Sequence, residues 1–182
     1  MATHKPVEVQ ELYGDLNSAE GEQKWFVVHS KPRREKKLAE YSLRNKINYY
    51  LPQKDSVRIY KFRKVKFTKP LFPGYIFIKC TLKQRDTLII TGHTAYFLHI
   101  PDEKKLLEEL MQIHSGKQKG AEFKETRFLE KGIRVKIISG PFQDLTGVVE
   151  NQNDVREVVL QVNLLKQAVS VSVSSDQVKV LK

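Results

Sequence analysis

The chain has 182 residues, with 32 lysines and arginines against 21 aspartates and glutamates, and one cysteine, Cys80. The net charge of +11 and an isoelectric point near 9.6 favour an acidic partner, of which nucleic acid is the commonest. One cysteine excludes an intrachain disulfide, the first 23 residues lack the apolar core of a secretory signal, and no stretch has the length of an apolar membrane span. The expectation is a cytoplasmic protein with no membrane partner.

Residues 1–23 are polar without sustained periodicity and predict a flexible arm. "KWFVVHS" (24–30) is apolar on both alternating faces, as a central strand is. "KPRREKKLAEYSLRNK" (31–46) predicts a helix, with Pro32 in its first turn and Leu38, Ala39, Tyr41 and Ser42 on one face. "NYYLP" (48–52) follows as a strand. "VRIY" (57–60) and "KVKF" (64–67) alternate apolar and basic residues and predict a hairpin with a positive outer face and tip. "YIFIKC" (75–80) is a second central strand, 82–90 a short helix, "YFLHI" (96–100) a last strand, and "PDEKKLLEELMQIH" (101–114) the clearest helix.

The spacing predicts an α+β domain over 24–114, an antiparallel sheet flanked by helices. A linker is expected over 115–127, where glycines and mixed charge replace apolar residues. Residues 128–182 hold five short β-branched runs separated by turn residues and predict a small, SH3-like all-β barrel.

Charge locates the acidic partner on the first domain. Between residues 24 and 79 there are sixteen basic side chains and three acidic ones, so this segment exceeds the net charge of the whole chain. A field of one sign at that density destabilises a small domain unless an anion offsets it. No P-loop, no GxGxxG after a strand, no HExxH and no CxxC is present, and the five histidines have no metal-ligand spacing. Neither catalysis nor a cofactor is expected.

Two stretches carry a resemblance. "LFPGYIFIK" (71–79) after a basic hairpin, with "WFVV" (25–28) opening the domain, resembles the N-terminal domain of NusG-type transcription factors (the NGN domain). "VKIISGPFQDLTGVVE" (135–150) resembles the KOW motif, a strand, a Gly-Pro-Phe turn and a second glycine before the next strand. The resemblance implies a non-enzymatic elongation and antitermination factor. Its first domain would dock on the clamp helices of RNA polymerase and contact upstream and non-template DNA, reducing pausing and termination.

On that reading Phe72 and Tyr75, with Trp25 and Phe26 as lesser members, are the polymerase-binding candidates, because aromatics bury large area with few torsions to freeze. Lys31, Arg33, Arg34 and Lys37 near the first helix, and Arg58, Lys61, Arg63 and Lys64 on the hairpin, are candidate phosphate contacts. His29 and Tyr60 are candidates to stack on an exposed base. Phe142, Leu164 and Leu165 are candidates for the contact through which a KOW domain meets the ribosome or a termination factor.

"KPLFPGYIFI" (69–78) and "LQVNLLKQAVSVSV" (160–173) resemble the specialised, RfaH-like and UpxY-like branch, where an operon such as one for polysaccharide synthesis is the target. A housekeeping NusG-type factor is the alternative, and a ribosomal or RNA-binding KOW protein a more distant one. The latter would carry its charge on the barrel or tails, which this chain does not.

Overall fold

The computed structural model describes residues 7–60, 63–151 and 155–181. The chain divides into two compact units, Met1–Glu103 and Lys104–Lys182. In the first, β1 (Leu12–Tyr13), β2 (Lys24–Ser30), α1 (Glu35–Arg44), β3 (Asn48–Tyr50), β4 (Gln53–Tyr60), β5 (Arg63–Pro70), β6 (Tyr75–Cys80), α2 (Leu82–Ile90) and β7 (Thr94–Leu98) follow in chain order. Five strands form an antiparallel sheet in the order β1-β3-β6-β2-β7, and β4 pairs with β5 alone in a two-stranded ribbon.

The two faces of the sheet have different covers. On one, Val28, Tyr49, Ile76, Ile78 and Cys80 meet Leu38 and Ala39 of α1 and Leu88 of α2 in a fully buried cluster. Each such aliphatic contributes about 1.5–3 kcal/mol by leaving water. The same burial pushes the Cys80 thiol up to about 12, so it sits there as a small apolar residue rather than a nucleophile. Helix α2 starts from a capping box in which the Thr81 hydroxyl accepts from the Gln84 amide and the Gln84 side chain accepts from that of Thr81. Helix α1 starts at Glu35, later than its sequence suggests, because Arg33 adopts a left-handed φ of 61° and breaks the first turn.

The opposite face is closed in part by the N-terminal segment. There the Trp25 indole N–H donates to the Asn17 carbonyl, while at the sheet's edge strand β1 pairs with β3 and the Tyr49 hydroxyl and the Gln53 amide donate to the carbonyls of Gln10 and Val9. The buried Lys79 ammonium bonds the Asp15 carboxylate at 2.7 Å and lies 5.6 Å from the Trp25 ring. That bond holds the Asp15 carboxyl below its ordinary value. Residues 9–17 are thus tied to the sheet by a two-pair strand contact, single polar contacts and the packing of Val9, Tyr13 and Leu16, a mixture that leaves no periodic trace in a sequence read as a flexible arm.

The second unit contains most of α3 (Glu103–Gln118), then β8 (Lys124–Thr126), β9 (Ile133–Ile137), β10 (Thr146–Val149), β11 (Glu157–Val162), β12 (Gln167–Ser172) and β13 (Val178–Val180). Its strands form one antiparallel sheet in the order β13-β9-β10-β11-β12-β8. An α+β N-terminal region and an all-β C-terminal one are the fold classes the sequence predicts, and the latter is consistent with a KOW domain. Helix α3 lies against this sheet's loops: Gln112 accepts from the Thr146 amide, Glu109 accepts from Asn163, and Gly116 abuts Phe123 and Leu145. The chain therefore divides at the start of α3, ahead of the stretch read as a linker, and β8 within that stretch is a sixth strand paired with β12.

Candidate functional site

"LFPGY" makes a reverse turn. The Tyr75 amide donates to the Phe72 carbonyl at 3.1 Å, and Gly74, third in the turn after Pro73, takes a φ of 89°. That arrangement is a type II turn, which calls for glycine at this position. The turn is fastened from two sides. Glu35, a buried acid at the start of α1, accepts from the Gly74 amide at 2.7 Å, and the Gly74 carbonyl accepts from Ser30 at 2.8 Å.

The turn separates the two aromatics that flank it. Phe72 is 1% exposed, with its ring edge-on to Phe77 at 6.4 Å. Tyr75 is half-buried and stands in a row across three strands, because register places Tyr75 opposite His29 and His29 opposite Tyr96. The His29 ring stacks on Tyr96 at 4.6 Å and 9° and meets Tyr75 edge-on at 4.8 Å. Burial, the neighbouring Tyr96 and their hydrogen bond raise the Tyr75 phenol above its ordinary value. Tyr96 is 53% exposed.

The other two aromatic candidates lie elsewhere. Trp25 is buried beneath the N-terminal segment. Phe26 is on the helical face, edge-on to Phe97 at 5.7 Å, with the Arg85 guanidinium over both rings. Of the four, Tyr75 alone joins an aromatic row that reaches solvent, through Tyr96, and the row's members His29 and Tyr96 depend on strand pairing. The sequence marks His29 only as a base-stacking candidate and does not mark Tyr96.

Basic side chains border this row. Lys31, Arg33 and Arg34 are exposed on the loop from β2 to α1, and the Lys31 amide donates to the His93 carbonyl at 2.8 Å. Burial, with Arg34, Lys37 and Lys31 close by, depresses the His93 pKa from its ordinary 6.5. Lys37 is half-buried and pairs with Glu40 at 3.4 Å. Arg58, Arg63 and Lys64 are exposed on the ribbon, while Lys61 and the Tyr60 side chain fall outside the described residues.

In the second unit Phe142 and Leu164 are half-buried in turns, and Leu165 is 8% exposed, part of the core. The first two offer apolar surface and the third supports them. Among the described residues no group of three or more His, Cys, Asp or Glu side chains is placed to hold a metal ion, and no helix is long and apolar enough to cross a membrane.

The first unit thus sets a partly exposed aromatic row beside a cluster of cations, an arrangement suited to docking, and an antiparallel β region follows it in the chain. A sequence profile described as "Transcription termination factor nusG" matches residues 23–113, half of the chain, and the chain belongs to the NusG family of non-enzymatic transcription factors. Similar full-length proteins carry the name "Transcription termination/antitermination protein NusG". That of Rickettsia bellii is 25% identical over 176 residues, covering 90% of this chain and 93% of its own. That of Rickettsia conorii is 27% identical over 186 residues, covering 93% and 97%. That of Thermus thermophilus is 28% identical over 180 residues, covering 85% and 96%.

Proposed function

We propose that this chain is a transcription elongation and antitermination factor that acts in the cytoplasm by binding RNA polymerase through residues 24–114. The observation that carries the reading is the Tyr75–His29–Tyr96 row with the Lys31, Arg34, Lys37 and His93 cluster beside it. The row offers apolar area to the polymerase clamp helices. The cations, with Arg33 and with Arg58, Arg63 and Lys64 of the ribbon, meet phosphates of upstream or non-template DNA. Phe72 and Trp25 serve this surface from the core, and Phe26 from under α2. Family membership and the relatives' names support the assignment.

No bond is made or broken. A protein that binds the closed clamp more tightly than the open one shifts polymerase toward the closed state, so the paused state loses population. The KOW domain, 128–182, meets the ribosome or a termination factor through Phe142 and Leu164. Leu165-Lys166, in place of the aromatic and glycine of the housekeeping factor, favours a specialised, operon-specific role. The names of the relatives favour the housekeeping one.

The test is binding to purified bacterial elongation complexes, wild type beside Tyr75→Ala/Tyr96→Ala. Loss of two central aromatics is expected to weaken binding about tenfold or more. Equal binding by a folded double variant would remove the row from the interface. Failure of the wild type to bind would remove the polymerase.

A further inference from the structure

The ribbon β4–β5 does not have one positive face and one apolar face. Its register pairs Val57 with Lys66 and Ile59 with Lys64, and places Arg58 opposite Val65 and Ser56 opposite Phe67. Residues directly opposite share a face, so the alternation of the two strands is out of phase and each face carries both kinds of side chain. The faces are nevertheless unequal. On the Phe67 face the apolar surface is covered from within the ribbon, with the Arg58 guanidinium at 6.0 Å and the Lys69 ammonium at 5.5 Å from the ring. On the other face Val57 is 52% and Ile59 73% exposed, flanked by the exposed Lys64 and Lys66. This second face is continuous with the basic helix: the Lys36 ammonium of α1 donates to the Thr68 hydroxyl at 2.7 Å, and Thr68 lies on the same side as Val57 and Ile59.

We infer that the Val57–Ile59 face of the ribbon contacts DNA bases, with the two aliphatic side chains packed on bases of an opened duplex and Lys64 and Lys66 on the phosphates beside them. The inference rests on the proposed DNA contact and adds which face meets DNA and through which atoms. Charge selects the occupant. Between 53 and 70 the sequence has seven basic residues and one acidic one, so an exposed aliphatic pair here is brought to a polyanion before any other surface. A two-stranded ribbon is narrow enough to enter a groove, and aliphatic side chains inserted at base steps are a known means of holding unstacked DNA. Phosphate-only binding would leave two large aliphatics in water with no gain.

The test uses the full chain with elongation complexes that carry 2-aminopurine in the exposed DNA strand next to the upstream duplex, and with the same forked DNA free in low salt. Val57→Thr/Ile59→Thr keeps β-branched residues in the strand. It is expected to bind elongation complexes as wild type does and to lose the fluorescence response. Lys64→Gln/Lys66→Gln is expected to reduce the slope of log affinity against log salt on forked DNA by about 2. A full fluorescence response from the threonine variant would overturn the inference. So would loss of its binding to polymerase without DNA, which would assign the face to protein, or a preference of the wild type for single-stranded RNA over the fork. If wild type fails on elongation complexes yet responds on free forked DNA, the polymerase reading falls and the base contact stands.

Discussion

Replacing Phe72 by alanine separates an anchor from a core residue. The ring is 1% exposed and sits edge-on to Phe77 at 6.4 Å, so its removal leaves a cavity beneath the Pro-Gly turn. Truncation of a buried phenylalanine costs about 3–5 kcal/mol. Against a total of about 5–15 kcal/mol for a domain, that is a large share. For a domain of this size each kilocalorie lowers the melting temperature by about 4–8 °C, so a fall of about 12–40 °C is expected. Trp25 is the sole tryptophan, is buried in the same unit and has the Lys79 ammonium near its ring, so its fluorescence in a urea titration follows this unit selectively. Tyr75→Ala, measured alongside, is expected to cost less because that ring is half in solvent. A Phe72→Ala cost below about 1 kcal/mol would refute the reasoning, since a well-packed ring cannot be deleted so cheaply.

Two other outcomes are expected. Because His93 has a depressed pKa, its neutral form is favoured in the folded chain, and its contribution to stability is present above the ordinary value and lost as pH falls through the depressed one. DNA phosphates placed on Lys31, Arg34 and Lys37 would offset the cations that depress it, so binding should raise the His93 pKa and tighten as the solution is acidified. An NMR titration of the ring protons with and without a short DNA strand checks this, and no upward movement would count against phosphates at that cluster. In the second unit, Gly147→Ala would place a Cβ 2.6 Å from the Val159 carbonyl oxygen and 2.6 Å from the Val158 side chain. A backbone atom cannot step aside as a side chain does, so a loss of about 1–3 kcal/mol is expected. Faster amide exchange in β10 and β11 would show it, and unchanged exchange would refute it.

Much of the fold was legible because the signals are local. The unbroken apolar alternation of "KWFVVHS" and "YIFIK" marks the central strands β2 and β6, and Pro-Gly marks the turn before the latter. The site was less legible because it depends on pairing. Nothing near His29 in sequence indicates that Tyr75 and Tyr96 stand on either side of it; the register of two strand pairs does that. Phe72 and Tyr75 look equivalent around the turn, yet the type II geometry turns one inward and the other to the surface row. The ribbon shows the same limit. Each strand alternates basic and apolar residues, and only their mutual offset shows that neither face is purely positive. Lys36 and Thr68, which join that ribbon to α1, are 32 residues apart in the chain.

The attachment of residues 9–17 has a consequence for how the protein behaves in a crowded solution. Strand β3 would otherwise border the main sheet with a row of unsatisfied backbone donors and acceptors, a template on which another chain can add a strand. β1 occupies that border with two residue pairs, and Asp15 neutralises the Lys79 ammonium just inward of it. A chain begun at the first residue of the family match, 23, would keep the Tyr75–His29–Tyr96 row and the cationic border but would lose this cover. Its first defect would be self-association through a bare sheet edge rather than weakened recognition.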